Sequence, residues 1–181
     1  MSAYDVSQKN ARVALVAVRS GVMGSAPIAS FDSIDSYQDM LHYINLTHSY
    51  TDFEHDGQAV TEALTIAIMR EFIQSGYRTG LKNHVIVYVT ATTKFEDDPH
   101  GIVDIILGTR SYGIIAVGYG PLVTDPYALQ LISGGRDCSF VATDLHELQN
   151  KVEPVQRLIN NANENGGKYC GMRPRNSRGR K

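Results

Sequence analysis

Six histidines, at 42, 48, 55, 84, 100 and 146, are the first residues to test for chemistry, because imidazoles spaced i, i+4 on a helix hold zinc. No two have that spacing, so they read as solvated loop or helix-face side chains. Gly21-Val22-Met23-Gly24 follows a strand-like run, as a phosphate-cradling turn does. It lacks a third glycine, however, and leads into PIASF instead of a helix whose N-terminus could take a phosphate. Gly118-Tyr119-Gly120 also trails a strand, but Pro121-Leu122-Val123 spoils the helix start. A nucleophile elbow Gly-x-Ser-x-Gly is absent, and no Ser, His and Asp have a recognisable local context. The triplet Glu96-Asp97-Asp98 reads as a solvated loop. These residues point away from catalysis and imply no cofactor, with a Rossmann-type nucleotide-binding enzyme kept as a minor alternative.

The elements that would carry a site are clearer. VIVYVT (85 to 90) and GIIAVGYG (113 to 120) are continuous apolar runs, the pattern of strands covered by helices on both faces. DPHGIVDIILGTRS (98 to 111) lies between them with apolar residues at 102, 103, 105, 106 and 107. It predicts a crossover helix and two adjacent parallel strands, buried on both faces. RVALVAV (12 to 18) is a further strand, and PIASF (27 to 31) an edge strand where Pro27 is tolerated.

Residues 33 to 47 place Ile34, Tyr37, Met40, Leu41 and Ile44 on one helical face, with Ser and Asp as caps. AVTEALTIAIMREFIQSG (59 to 76) predicts the strongest helix, stopped by Gly76. A short helix around 126 to 132, a strand at 139 to 142 and a last helix over 143 to 167 complete the order. Thr143 or Asp144 caps that helix, and Pro154 must kink it or start a second segment.

At 181 residues, 43% hydrophobic and 20% charged, the chain fits one α/β domain. No apolar stretch is long enough to span a membrane, and the first residues lack the apolar core of a signal peptide. The net charge is −2, and the tail at 173 to 181 carries five basic residues, leaving about −7 on the remainder. That balance offers no broad surface for nucleic acid.

The order and spacing of the runs at 85, 113, 129 to 135 and 139 to 148 resemble the C-terminal half of a von Willebrand factor type A domain. The resemblance implies a doubly wound, mostly parallel sheet flanked by helices, with residues 12 to 162 running from the family's second strand to its last helix. It divides the chain into a segment at 1 to 11, a domain at 12 to 165 and a Gly/basic tail at 166 to 181. The family's first strand ends in Asp-x-Ser-x-Ser, three positions of a metal-ion-dependent adhesion site. Nothing in residues 1 to 11 resembles that motif, so the domain reads as N-terminally truncated. Val60 falls where the family has the metal-site Thr, Thr61 where it has a Gly, and Ala91 where it has the Asp of Thr-Asp. The resemblance thus implies a degenerate metal site and metal-independent binding, since a hard divalent cation needs carboxylate oxygens.

What the resemblance implies about function is protein binding or adhesion, with the partner's identity open. In open parallel sheets, ligand sites collect where loops leave the C-terminal strand ends. That places Asp56, Thr92, Thr93, Lys94, Glu96, Asp97 and Tyr119 on the binding face. Cys138 precedes the last strand and Cys170 follows the last helix, so the two ends finish at one edge. A bridge is sterically allowed there and would stabilise by roughly 3 to 4 kcal/mol. The alternatives are a buried free Cys138 with an exposed Cys170, or Cys170 paired outside this sequence. Asn45-Leu46-Thr47 is a glycosylation sequon. Disulfide, sequon and family lean toward an extracellular or secreted adhesion module. The absent signal peptide and the basic tail lean toward an intracellular, cytoplasmic scaffold.

Overall fold

The structure is a computed structural model of the chain, and it describes residues 4–19, 24–49, 57–69, 75–81, 84–109 and 112–164. The described strands form two separate sheets, and the chain gathers into two compact units. The division has a plain cause in the pairing, because no described strand hydrogen-bonds to both sheets.

The first unit comprises Met1–Leu81 and Lys94–Ile102. Its sheet pairs β1 (Leu15–Ala17) antiparallel with β2 (Ala26–Ala29), and Pro27 lies opposite Val16. β1 is shorter than the run at 12 to 18 predicts. Helix α1 (Tyr37–Ser49) packs on both strands. Ser36 caps it, accepting the Asp39 N–H at 3.1 Å while its hydroxyl donates to Asp39 Oδ2 at 2.8 Å. Because the helix begins only at Tyr37, the predicted face is rotated. Ile34 is fully buried ahead of the helix, Met40 and Tyr43 pack on the core, and Tyr37 and Ile44 are exposed.

Residues 5–11 are part of this unit. Val6 joins Ala29 and Ile34 in the core, and Gln8 Nε2 donates to the Phe31 carbonyl at 2.8 Å. Helix α2 (Val60–Ile68) buries Val60, Ala63 and Leu64. It ends well short of residue 76, since Met69 is extended (φ −63°, ψ 139°) and turns its N–H to the Ile66 carbonyl. Residues 70–74 lie outside the described set.

The second unit comprises Lys82–Thr93 and Val103–Lys181. Its sheet has the order β3 (His84–Thr92), β4 (Tyr112–Leu122), β5 (Ser139–Ala142), parallel throughout. The predicted crossover helix is α3 (His100–Thr109), which starts in the first unit and buries Val103 and Ile106. β4 is the central strand, with every residue from Tyr112 to Gly118 buried. Helix α4 (Pro126–Ser133) packs on β4 and β5, bringing Leu129 and Ile132 to full burial beside Ile114, Ile115 and Cys138. Helix α5 (Leu145–Glu164) also packs on β5 and β4.

One alternative and one expectation fail in this unit. α5 is continuous helix through Pro154, so of the predicted kink or restart no second segment begins there. Proline removes one hydrogen bond to the carbonyl four residues back, and exposed Asn150 can give that carbonyl to water. β3 is parallel and adjacent to β4 as expected, but it is not buried on both faces. Tyr88 and Thr90 are covered, while Val87 is 43% and Val89 63% exposed; among the described strands β3 is at one edge of this sheet.

Candidate binding face

The stretch that leaves β4 is held by side chains and not by regular pairing. The β3–β4 register jumps from Thr90↔Gly118 to Thr92↔Leu122, so residues 119–121 of β4 have no counterpart on β3. Thr90 Oγ1 closes the β3 side, donating to the Thr92 carbonyl at 2.8 Å and accepting its N–H at 3.1 Å. On the β4 side Gly120 has φ +97°, a conformation that costs other residues strain, and Val123 N–H returns to the Gly120 carbonyl at 3.3 Å.

Thr93 fastens the continuation of the chain into α4. Its buried hydroxyl accepts the N–H groups of Thr124 and Asp125 at 3.2 and 3.0 Å, and its own N–H donates to the Leu122 carbonyl at 3.4 Å. Asp125 in turn caps α4, accepting Tyr127 N–H at 2.9 Å and Ala128 N–H at 3.4 Å, with Pro126 at the first helical position. A loop fixed at so many points is a scaffold, and it leaves Tyr119 37%, Leu122 66% and Tyr127 63% exposed. Of these three, only Tyr119 is among the predicted face residues. Leu122 and Tyr127 escape the sequence reading because nothing local says which apolar residues of Pro121-Leu122-Val123 face inward. Val123 does, and it meets Gly118, where an added Cβ would lie 2.6 Å from Val123 Cγ1 and 2.8 Å from Leu129 Cδ1.

The remaining predicted residues lie in the first unit. Gln58 N–H donates to the Lys94 carbonyl at 3.1 Å and Glu96 N–H to the Gln58 carbonyl at 3.0 Å, a short bridge that sets the entry to α2. Ala59 at the helix N-cap supplies no side-chain oxygen. Asp97 takes that role from a distance, with its Oδ1 3.3 Å from the Thr61 N–H. Thr61 Oγ1 donates to the Asp98 carbonyl at 3.4 Å, and Asp98 Oδ1 accepts the His100 N–H at 3.0 Å where α3 begins. The acidic triplet is thus a pair of helix-start devices in which Glu96 and Asp98 stay exposed. Val60 is fully buried hydrocarbon and Ala91 is exposed. Asp56, Cys170 and the basic tail lie outside the described residues. Asn45 is exposed on α1.

The model of the von Willebrand factor type A domain matches residues 1–154. The chain belongs to that family. Protein irg-7 of Caenorhabditis elegans is 42% identical over 174 residues, which are 94% of this chain and 8% of that protein, so the chain spans under a tenth of this relative. Among solved structures, proximal thread matrix protein 1 from the mussel byssus has a similar fold. One crystal form aligns with a TM-score of 0.64 at 16% identity, covering 85% of this chain and 36% of the mussel protein. A second structure of it, with a zinc-occupied metal-ion-dependent adhesion site motif, aligns with a TM-score of 0.66 at 15% identity, covering 85% and 36%. The type A assignment makes the chain a protein-interaction or adhesion module in general terms, in a family whose members are generally not enzymes.

Proposed function

We propose that this type A domain binds a protein ligand without a bridging cation, through the loop at 119–127 with Thr92 and Thr93 beneath it. The observation that carries the reading is the exposure of Tyr119, Leu122 and Tyr127 on backbone fixed by Thr93 and Asp125. Tyrosines on a rigid support are the usual anchors of protein interfaces, since they bury large area with little loss of rotamer freedom. Lys94, Glu96 and Asp97 belong to the proposed binding residues of the first unit as charged groups that tune association.

The residues at the family's metal positions do not fit a hard divalent cation. Val60 and Ala91 have no side-chain oxygen, so of these three positions only Thr61 could offer a side-chain ligand, and no carboxylate is among them. Neither a catalytic step nor a cofactor enters this reading.

An extracellular setting is part of the proposal. It rests on the proposed Cys138–Cys170 bridge and on Asn45, which is exposed on α1 and accessible for glycosylation. Thiol labelling of protein from its native source, with and without reductant, checks that part. Label that enters Cys138 of unfolded protein without reductant would return the chain to the cytoplasmic scaffold reading.

The binding face is tested by affinity capture in EDTA from extracts of the source organism. Wild-type chain is compared with a Tyr119→Ala, Leu122→Ala, Tyr127→Ala triple variant of unchanged melting temperature. Proteins held by wild type and lost from the variant are expected. Identical retention by both would move the interface off this loop.

A further inference from the structure

Two neighbouring strand ends of the second unit carry apolar and acidic groups together. Tyr119 of β4 is paired with Ala142 of β5, and paired strands lie about 4.8 Å apart. Thr143 and Asp144, which lead into α5, therefore leave the sheet beside the loop at 119–127. Leu145 opens α5 and is 60% exposed, so with Tyr119, Leu122 and Tyr127 that edge presents four large apolar side chains to water. Asp125, Asp144 and Glu147 are exposed among them. Each carboxylate is held by backbone. Asp125 Oδ1 accepts the Tyr127 N–H at 2.9 Å, Asp144 Oδ1 the Glu147 N–H at 2.8 Å, and Glu147 Oε2 the Thr143 N–H at 2.8 Å. The N-termini of α4 and α5 contribute about half a positive charge each, so three carboxylates leave a net of about two negative charges. Neither 119–127 nor 143–150 contains a Lys or Arg. The stretch that follows β3 adds Lys94 against Glu96, Asp97 and Asp98.

Resting on the reading of the loop at 119–127 as the binding face, we infer that its protein ligand presents a basic segment, with Lys or Arg interspersed among apolar side chains. An acidic segment would bring like charges against carboxylates that the backbone holds in place, which disfavours both encounter and docking. A neutral apolar segment would cover Tyr119, Leu122, Tyr127 and Leu145 but strip water from three carboxylates without replacing it. A basic segment meets both demands. The carboxylates are already ordered, so they lose little rotamer freedom when a cation arrives. The hydrocarbon stems of Lys and Arg lie along apolar surface, and their cationic ends are attracted to the faces of tyrosine rings. Charge then sets the rate of association and selects the ligand, while the four apolar side chains hold it.

Fluorescence anisotropy of the full chain with a labelled Gly/Ser peptide carrying interspersed Lys and Leu reads this directly, beside the same peptide with Glu in place of Lys. The Lys peptide is expected to bind and the Glu peptide to stay free. A combined Asp125→Asn, Asp144→Asn, Glu147→Gln variant keeps an oxygen acceptor at each position and removes only the charge. It should bind the Lys peptide about tenfold more weakly. At about 1 M salt, where the Debye length falls to about 3 Å, wild type should lose most of its advantage over that variant. Equal binding of the two peptides, no binding of the Lys peptide, or an unchanged affinity in the charge variant overturns the proposal. A captured protein that the Tyr119, Leu122 and Tyr127 triple alanine variant loses but the charge variant holds sinks the basic ligand and leaves the binding face standing. One that both variants hold sinks the face itself.

Discussion

Thr93 is the residue on which the proposed face most depends, although its hydroxyl is buried. It accepts two backbone N–H groups and donates its own to a third position of the same loop. Replacing it by valine strands the Thr124 and Asp125 donors, at a cost of about 1–3 kcal/mol. Thermal unfolding of Thr93→Val should therefore fall by several degrees, on the order of 2–4 °C per kcal/mol for a chain of this size, while Thr93→Ser stays near wild type. Capture of the ligand should weaken in the valine variant only.

Glu147 supplies a second test at this scale. Its carboxylate accepts the Thr143 N–H at 2.8 Å and the Thr143 hydroxyl at 2.9 Å, and the backbone bond is the main cause of a pKa below the ordinary glutamate range. A carboxyl group with a lowered folded pKa stabilises the fold above its unfolded pKa of about 4.3, and that gain is lost as pH falls through the lower folded value. The melting-temperature gap between wild type and Glu147→Gln should thus be present at neutral pH and close in acid. A gap that widens in acid would reverse the assignment. The cap itself is legible in Thr143, Asp144 and Glu147. The role of Asp97 is not, because the N–H it accepts belongs to Thr61, 36 residues earlier in the chain.

Among the elements, β4 organises the second unit. The consecutive buried stretch from Tyr112 to Gly118 is what a run of Tyr, Gly, Ile, Ala and Val predicts, and α4 and α5 cover it as an α/β sheet requires. The position that decides how α4 approaches is Gly118. A Cβ there would press on Val123 and Leu129, both buried, so neither can swing away. Gly118→Ala should destabilise by about 1–3 kcal/mol, the usual cost of overfilling a packed core. Denaturant titration checks it, and an unchanged midpoint would mean that the loop at 119–127 yields easily and is not a rigid support. Helix positions follow from periodicity alone at α3, α4 and α5. They drift at α1 and α2, where the caps and the extended Met69, not the apolar spacing, fix the ends.

For the whole molecule, strand order and the parallel β3–β4 pair are legible because buried strands leave continuous apolar runs. Such runs record what a strand could bury, not whether a neighbour is there to bury it. That is why two sheets and the exposed valines of β3 emerge only in the structure. The same limit hides the proposed binding loop, whose aromatic exposure depends on Thr93 reaching 31 residues along the chain. The proposed loss of metal donors rests on sequence alone, since the side chains of Val60 and Ala91 carry no oxygen in any conformation. A ligand held by the loop at 119–127 with no cation is tested most directly by titration calorimetry of the most strongly captured protein, in EDTA and then in excess Mg²⁺. Wild type should show the same affinity in both buffers. The Tyr119, Leu122 and Tyr127 triple alanine variant should lose at least about tenfold in both, as expected when anchor side chains are removed. Binding that appears only with Mg²⁺, or that the triple variant retains in full, would contradict cation-free recognition by this loop.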